Sequence, residues 1–193
     1  MKSVDGMIKT KKELKEYIRD EAKIYRHAGF SDRVVGFLCK DFSYLAGRYV
    51  YHLRKTEYYY NNSVIFKKSI KALCNTIVYI WHRRIRNKYA CMIDVNIWEN
   101  SVGKGLKIYH SGVVINRNAS VGENCVFMGN NCIGNAGDNK CVPRIGNNVS
   151  FGVNAVVIGD VLIGDNCKIG AGAVVNKSFD SNSILVGVPA RIK

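Results

Sequence analysis

The C-terminal half of this 193-residue chain repeats an apolar residue every six positions, often with glycine next to it. Neither a helix, with a period of 3.6 residues, nor a single strand, with a period of two, gives that spacing. A period of six is typical of a three-sided parallel β-coil, in which each hexad supplies one short strand and one tight corner. The first position points inward, and so does a small fifth residue. The hexads begin at Val102, Ile108, Val121, Phe127, Ile133, Ile145, Phe151, Val157, Ile163 and Ile169.

One break interrupts the repeat, because twelve residues separate Ile133 from Ile145. The segment at 139–143 either forms two degenerate hexads or leaves the coil as a loop without changing the register. Pro143 favours the loop, since proline cannot donate a hydrogen bond to a strand ladder.

The seven cysteines are scattered, with no C-x-x-C spacing and no histidine cluster nearby. This argues against a disulfide framework and against a zinc site. Cys125 and Cys167 occupy fifth positions of hexads, where a small apolar side chain is expected. The coil holds one histidine, which excludes a zinc site with three imidazole ligands, and we expect no metal.

Residues 1–93 contain little glycine and place apolar residues at helical spacing, which predicts an α-helical cap before the coil. We expect about three helices: one through 14–25, one that opens after the N-cap pair Ser31-Asp32, and one over 64–89. Short loops are expected at 28–29 and 61–62. The predicted fold is therefore α+β, with an α-helical basic domain at 1–93 and a β-helical domain at 94–193.

The net charge of +14 is concentrated in the helical part: residues 1–94 hold 20 Lys and Arg against 9 Asp and Glu. Such an excess fits a polyanionic partner, such as nucleic acid, an anionic membrane or a phosphate-linked substrate, and equally a solvated basic surface. The aromatic and basic run at 51–60 suits base or sugar stacking, a membrane interface, or packing of one helix. No nucleic-acid-binding motif accompanies it, so we expect no nucleic-acid partner.

The sequence predicts no membrane span. The longest apolar run, at 76–81, is far shorter than the roughly 18 to 20 residues that cross a bilayer. Lys2 is followed by no apolar stretch, so no signal peptide is predicted. We expect a cytoplasmic protein, and peripheral contact with the inner membrane face or with a lipid-linked glycan is a role open to the basic helices.

The stretch KIYHSGVVI at 107–115 places His110 on the third position of a hexad, where the side chain should point outward. An imidazole titrates near neutral pH and can act as a general base, which typically raises a rate by about 10² to 10⁴. Its other ring nitrogen needs an acceptor that holds the productive tautomer. Asp94 is our candidate for that role, and Glu99, Asn96 or a backbone carbonyl are the alternatives.

The hexads resemble those of the hexapeptide-repeat acyltransferases, whose coil is a left-handed parallel β-helix and which act as trimers. The likeness runs from about residue 95 to residue 193 and is strongest to the serine acetyltransferase branch. It rests on GLKIYHSGVVIN at 105–116, VGENC at 121–125, IGAGAVVNKS at 169–178 and GVPARI at 187–192. A helical N-terminal cap is also usual in that branch.

The chain departs from the serine enzymes at their amino-acid-binding groups. The aspartate that precedes their catalytic histidine is Tyr109 here, and the histidine that precedes the proline of their loop is Val142. Their orienting acid lies in a segment like VDIHP, which reads VNIWE at 95–99. A retained histidine without those groups is more similar to the sugar O-acetyltransferases of capsule, exopolysaccharide and O-antigen biosynthesis, whose caps are also basic and rich in tyrosine.

The resemblance implies acetyl-CoA as co-substrate, bound in a groove between adjacent subunits. Matching motif positions suggests a lining of small and basic residues, which suit close approach to backbone and contact with phosphates. These cofactor-binding candidates are Gly152, Lys168, Gly170, Ala171, Lys177, Arg191 and Lys193. Gly170 and Ala171 also fit ordinary coil corners. Tyr109 and Asn130 are the candidates for acceptor binding, and the amide-rich stretch 130–137 is a candidate for stabilising an oxyanion.

The sequence thus predicts a homotrimeric, acetyl-CoA-dependent O-acetyltransferase in which His110 is the base and a saccharide hydroxyl is the acceptor. One alternative is a serine O-acetyltransferase of cysteine biosynthesis. Another is a non-catalytic β-helical scaffold that uses its basic cap to bind a membrane or a partner. The sugar, its hydroxyl, and whether it is free, nucleotide-linked or lipid-linked stay open at this stage.

Overall fold

The computed structural model describes residues 7–25, 30–65, 67–137 and 141–193. These residues form two compact units, which divide between Ile93 and Asp94. The helical unit contains α1 (Lys11–Ile24), α2 (Phe30–Cys39), α3 (Phe42–Asn61) and α4 (Ile70–Ile93). Within these ranges, no helix is both long enough and apolar enough to cross a membrane.

Side-chain caps set where three of these helices begin. The Thr10 hydroxyl accepts from the Glu13 N–H at 3.2 Å, and the Glu13 carboxylate accepts from the Thr10 N–H at 2.9 Å, which makes a capping box at α1. Asp41 accepts from the Tyr44 N–H at 2.8 Å before α3. The Ser69 hydroxyl accepts from the Ala72 N–H at 3.1 Å before α4.

The described residues hold four helices where the sequence predicted about three. The aromatic run at 51–60 lies inside α3 and is itself helical. The second helix begins at Phe30, so Ser31 and Asp32 lie in its first turn instead of capping it. The helix predicted from residue 64 begins only at Ile70, because Ser69 caps it there. The loop predicted at 28–29 falls outside the described residues.

A buried charged cluster joins α1 to α3. The Arg54 guanidinium donates to Glu21 at 2.7 Å and to Glu57 at 2.9 Å, and all three side chains are almost completely buried. Burial alone would lower the pKa of Arg54, but the two carboxylates raise it above its usual value. One cation thus holds two carboxylates inside the helical unit.

The second unit is a parallel β-helix built from three sheets of short strands. Sheet I contains β1 (Val95–Ile97), β3 (Val113–Ile115), β6 (Cys132–Gly134), β9 (Val156–Ile158) and β12 (Val174–Val175). Sheet II contains β4 (Ser120–Val121), β7 (Arg144–Ile145) and β10 (Leu162–Ile163). Sheet III contains β2 (Lys107–Ile108), β5 (Val126–Phe127), β8 (Ser150–Phe151), β11 (Lys168–Ile169), β13 (Ile184–Val186) and β14 (Arg191–Ile192). Every strand pair is parallel except β13 with β14.

The inward positions follow the predicted repeat, which confirms a coil of hexads. Phe127 and Phe151 are fully buried one above the other, with ring centroids 4.6 Å apart and nearly parallel planes. Cys125 and Cys167 at fifth positions are also fully buried. In the upper coil a full turn takes 18 residues, as in the pairing of Ile145 with Ile163.

Asparagine side chains stack along one corner of the coil, between sheets II and III. Asn148, Asn166 and Asn182 all have left-handed backbone dihedrals, with φ between 56° and 65°. The Asn148 amide donates to Asn166 at 3.0 Å, and the Asn166 amide donates to Asn182 at 3.2 Å. The corner residues therefore hold successive turns together as well as reversing the chain.

The break after Ile133 is a loop. Val121 pairs with Ile145, 24 residues later instead of 18, so six residues lie outside the coil and the register continues. Pro143 is buried at a fifth position, and its carbonyl accepts from the Ser120 N–H at 3.1 Å. The described parts of the connection, 135–137 and 141–143, contain no strand.

Candidate functional site

His110 lies on a corner of the coil that is one residue longer than the corners above it. Four residues separate the buried Ile108 from the buried Val113, whereas three separate Phe127 from Asn131 in the next turn. The registers record the insertion, since β2 and β5 pair at a spacing of 19 and β3 and β6 at a spacing of 18. The extra residue makes the corner bulge, and His110 is exposed on it.

The bulge corrects the regular hexad that the sequence predicted at Ile108. A strict six-residue count would place Gly112 and Val114 inside the coil. Val113 and Ile115 are inside instead, and Val114 is 44% exposed. The outward direction expected for His110 is present, but the insertion produces it.

Gly129, in the turn above, lies against the backbone of His110. A Cβ atom on Gly129 would be 2.8 Å from the Cβ of His110, and Gly129 has a φ of +123°, which side chains rarely tolerate. The buried Asn131 fixes Gly129, because its Oδ1 accepts from the Gly129 N–H at 3.0 Å. Its Nδ2 donates to the Gly152 carbonyl at 2.7 Å. The sequence analysis missed Gly129 and Asn131, although the run MGNN at 128–131 carried the signal.

The two acceptor-binding candidates flank this corner. Tyr109 is 42% exposed, and the Lys107 ammonium lies 4.5 Å from the centroid of its ring. Asn130 is exposed, and its N–H donates to the Ser111 carbonyl at 2.8 Å. The Asn130 side-chain oxygen packs directly against Gly112, which leaves no room there for a Cβ atom. Both candidates therefore lie beside His110, one on each side.

The candidate orienting acid lies in the turn below. Asp94 is exposed with a φ of +49°, and its carbonyl accepts from the Gly112 N–H at 2.8 Å. Its backbone therefore meets the same bulged corner as His110. Asn96 is exposed on β1 beside Val114, and Glu99 is buried.

Most of the cofactor-binding candidates lie on one face of the coil, on sheet III and the corner that follows it. The register places Gly152 and Gly170 two and three turns above Tyr109 in the same column, which corresponds to about 10 and 14 Å at about 4.8 Å per turn. Ala171 and Lys168 adjoin this column and are exposed. Arg191 pairs with Val186 at the top of the same sheet.

Close stacking of the turns already explains one of these glycines. A Cβ atom on Gly152 would lie 2.5 Å from the backbone nitrogen of Ala171, so only glycine fits there. Lys177 is separated from the group, because it follows the far end of β12 and its ammonium lies 5.4 Å from the Phe179 ring. Lys193 is exposed at the end of the chain, and its N–H donates to the Ile184 carbonyl.

An open groove of about 580 Å³ borders sheet I at the other end of β3. The Arg117 guanidinium lies 5.2 Å from the centroid of the Trp98 ring on its wall. The remaining lining is rich in amides: Asn96, Val114, Ile115, Asn116 and Asn118. The sequence analysis considered 95–99 only as the segment of the missing acid and did not predict this groove.

A separate pair of histidines is buried in the helical unit. The Nδ1 atoms of His52 on α3 and His82 on α4 are 3.0 Å apart, and no hydrogen-bond partner reaches Nε2 of His52. Burial, followed by nearby cations such as Lys55, lowers the pKa of each histidine to about 4. In the described parts of the chain, no three His, Cys, Asp or Glu side chains are grouped to hold a metal ion.

Comparison with known families places the coil. The family model described as bacterial transferase hexapeptide (six repeats) matches residues 143–177. The coil belongs to the hexapeptide-repeat transferases. That family also contains the similar proteins found among curated sequences and solved structures.

Two curated relatives illustrate the range of this hexapeptide-repeat group. The protein named "Putative colanic acid biosynthesis acetyltransferase WcaB" of Escherichia coli K12 is 40% identical over 95 residues, which cover 48% of this chain and 59% of the relative. The serine acetyltransferase of Synechococcus elongatus is 39% identical over 94 residues, which cover 47% of this chain and 38% of the relative. The matched stretch thus spans less than two thirds of each relative.

Solved hexapeptide-repeat structures extend the likeness to the helical region. The serine acetyltransferase of Brucella abortus strain S19 aligns with a TM-score of 0.67 at 22% identity, over 94% of this chain and 69% of that one. The Neisseria gonorrhoeae serine acetyltransferase in complex with serine aligns with a TM-score of 0.65 at 22% identity, over 93% and 69%. At these identities the likeness shows the fold, a helical N-terminal region followed by a parallel β-helix.

Proposed function

We propose that this protein is an acetyl-CoA-dependent O-acetyltransferase that uses His110 as its general base and a saccharide hydroxyl as its acceptor. The observation that carries the proposal is the bulged corner, which exposes His110 while Gly129 and Asn131 fix its backbone. A base must reach substrate from a fixed position, and this corner meets both requirements. A left-handed coil, a homotrimer and a cytoplasmic location are parts of the same proposal.

His110 would accept the proton of the acceptor hydroxyl as that oxygen attacks the acetyl carbonyl carbon. Acetyl-CoA, when bound, supplies the acetyl group as a thioester. The same imidazole, once protonated, can return its proton to the thiolate that leaves. Asp94 is the proposed positioning residue, because its backbone already meets the His110 corner in the turn below. The amide of Asn131 is already committed to Gly129 and Gly152, so it would support the corner without contacting an oxyanion.

The face of sheet III suits the donor. Gly152 and Gly170 leave a strip of backbone free of side chains above Tyr109, wide enough for an extended arm to lie against it. Lys168 and Arg191 are exposed beside this strip and suit phosphate groups. Lys177, at the far end of β12, would meet the same donor only from an adjacent copy in a trimer.

Two features favour a saccharide over an amino acid. Tyr109 stands beside the base in place of an acidic group that could bind an ammonium. The groove walled by Trp98 and Arg117 begins about 10 Å from the His110 corner, the length of the three-residue strand β3 at about 3.3 Å per residue. Its ring, guanidinium and amides suit the hydroxyls and apolar face of a neighbouring sugar residue in an oligosaccharide.

Serine acetylation is the second candidate, because serine acetyltransferases appear among both the relatives and the structural neighbours. The test is free CoA, measured by chromatography, after incubation with acetyl-CoA and each of three acceptors: oligosaccharide repeat units of bacterial surface glycans, nucleotide sugars and L-serine. We expect release with a saccharide and a background rate with L-serine. Release with L-serine alone would replace the saccharide assignment by the serine one.

A further inference from the structure

The long helix α4 turns its apolar side away from the protein. Large apolar side chains recur at helical spacing along its first three turns, and each is more than half exposed: Ile70 at 86%, Leu73 at 55%, Ile77 at 63%, Ile80 at 59% and Trp81 at 57%. We call this set the α4 apolar face. A soluble helix normally buries such a stripe.

The opposite side of α4 packs on α3 and is the more polar one. Tyr79, His82 and Arg86 are buried there, and the His82 ring nitrogen meets His52 of α3. The Tyr79 ring lies 5.4 Å from the ring of Tyr60. The α4 apolar face therefore points away from α3, and in the described chain its side chains stay more than half exposed.

Cations surround the α4 apolar face. The sequence from 58 to 93 contains seven Lys and Arg residues and no Asp or Glu. Lys67, Lys68 and Lys71 are exposed at the start of the helix. Arg84 and Lys88 are exposed one and two turns beyond Trp81 on the same side.

This charge distinguishes between two occupants of the face. A second copy of the same helix would bring seven cations against seven without a carboxylate from either segment, which opposes close packing. An anionic lipid surface would accept the apolar side chains between its headgroups and attract the cations at both ends. Trp81 has the amphipathic ring that is favoured at that depth.

We propose that α4 lies in the plane of a membrane surface that contains anionic lipids, with its apolar face inserted at the boundary between headgroups and acyl chains. The helix has 24 residues and is about 36 Å long, which provides an extended line of contact. The docking does not depend on the reaction proposed for His110, and it would hold the coil near acceptors that are made at a membrane.

The test uses the full chain and vesicles of phosphatidylcholine, with or without about 30% phosphatidylglycerol. Flotation should recover the protein with the anionic vesicles and leave it behind with the neutral ones. Raising the salt concentration should weaken the binding, because charge attraction is screened. In a Trp98→Phe background, Trp81 is the remaining tryptophan, and its emission should shift to shorter wavelength with the anionic vesicles alone.

A pair of matched variants separates insertion from general surface effects. Ile77→Glu should lower anionic-vesicle binding at least tenfold, whereas Leu162→Glu, at a coil position that is 57% exposed, should bind like the unaltered protein. The proposal is overturned if the unaltered protein fails to float with anionic vesicles or if Ile77→Glu floats equally well. It is also overturned if Ile77→Glu reduces the solution mass of the oligomer, because a second copy would then be the occupant.

Discussion

Gly129 and His110 lie so close that a Cβ atom on the glycine would be 2.8 Å from the Cβ of the histidine. The turn above the bulged corner therefore determines where the His110 backbone sits. An added methyl group at Gly129 must displace that backbone or its own turn.

We expect Gly129→Ala to lower kcat for acetyl transfer by about 100-fold, because small displacements of a reacting group can cost that much. Gly159→Ala is the matched control. Gly159 also has a positive φ, +92°, but its Cβ would meet only Ala136 at an ordinary 3.7 Å. Steady-state kinetics of both variants test the point, and equal losses of kcat would show that backbone strain, rather than His110, is responsible.

The groove beside Trp98 predicts a separate effect on acceptor binding. Arg117→Ala should raise KM for an oligosaccharide acceptor about tenfold and leave KM for acetyl-CoA unchanged, because the guanidinium stacks on Trp98 at the groove wall. Arg144→Ala removes another exposed arginine of the coil, on β7, and should change neither constant. An Arg117→Ala enzyme with unaltered acceptor KM would exclude the groove from acceptor binding.

The buried cluster in the helical unit predicts a large loss of stability. Arg54→Met would leave Glu21 and Glu57 without their cation and should lower the free energy of unfolding by about 3 to 5 kcal/mol. Arg144→Met breaks an exposed pair with Asp160, at 3.4 Å, and should cost less than about 1 kcal/mol. Urea unfolding measures both, and a similar small cost for the two variants would contradict the cluster's role.

The histidine pair predicts how stability depends on pH. The folded pKa values of His52 and His82 are lowered to about 4, so the unfolded chain takes up protons first as the pH falls below the usual value near 6.5. Stability from the pair is thus present above about pH 6.5 and is lost progressively toward pH 4. The melting temperature should fall between pH 7 and pH 5. His52→Phe should flatten this dependence, whereas an equally steep fall in that variant would exclude the pair.

The regular part of the coil could be predicted from sequence, because one inward residue per hexad leaves a visible period. Cys125, Cys167 and the loop before Pro143 followed from it. The bulge at His110 could not be predicted in the same way, since Val113, Val114 and Ile115 are all apolar and permit either register.

The helical unit was harder to predict because its outward and inward faces do not follow polarity. Ile77 is exposed, whereas Arg54 and His82 are buried, so hydrophobic spacing locates the helices without showing which side packs inward. The groove at Trp98 and Arg117 joins residues 19 positions apart, and only the 18-residue pairing of β1 with β3 brings them together.

The most direct test of the account is the rate of acetyl transfer by His110→Ala, measured as free CoA formed with the best saccharide acceptor. Because His110 is exposed, the variant should keep the melting temperature of the unaltered protein. The account predicts a kcat lower by about 10² to 10⁴, as expected for loss of a general base. A folded His110→Ala protein that transfers acetyl groups at the full rate would contradict it.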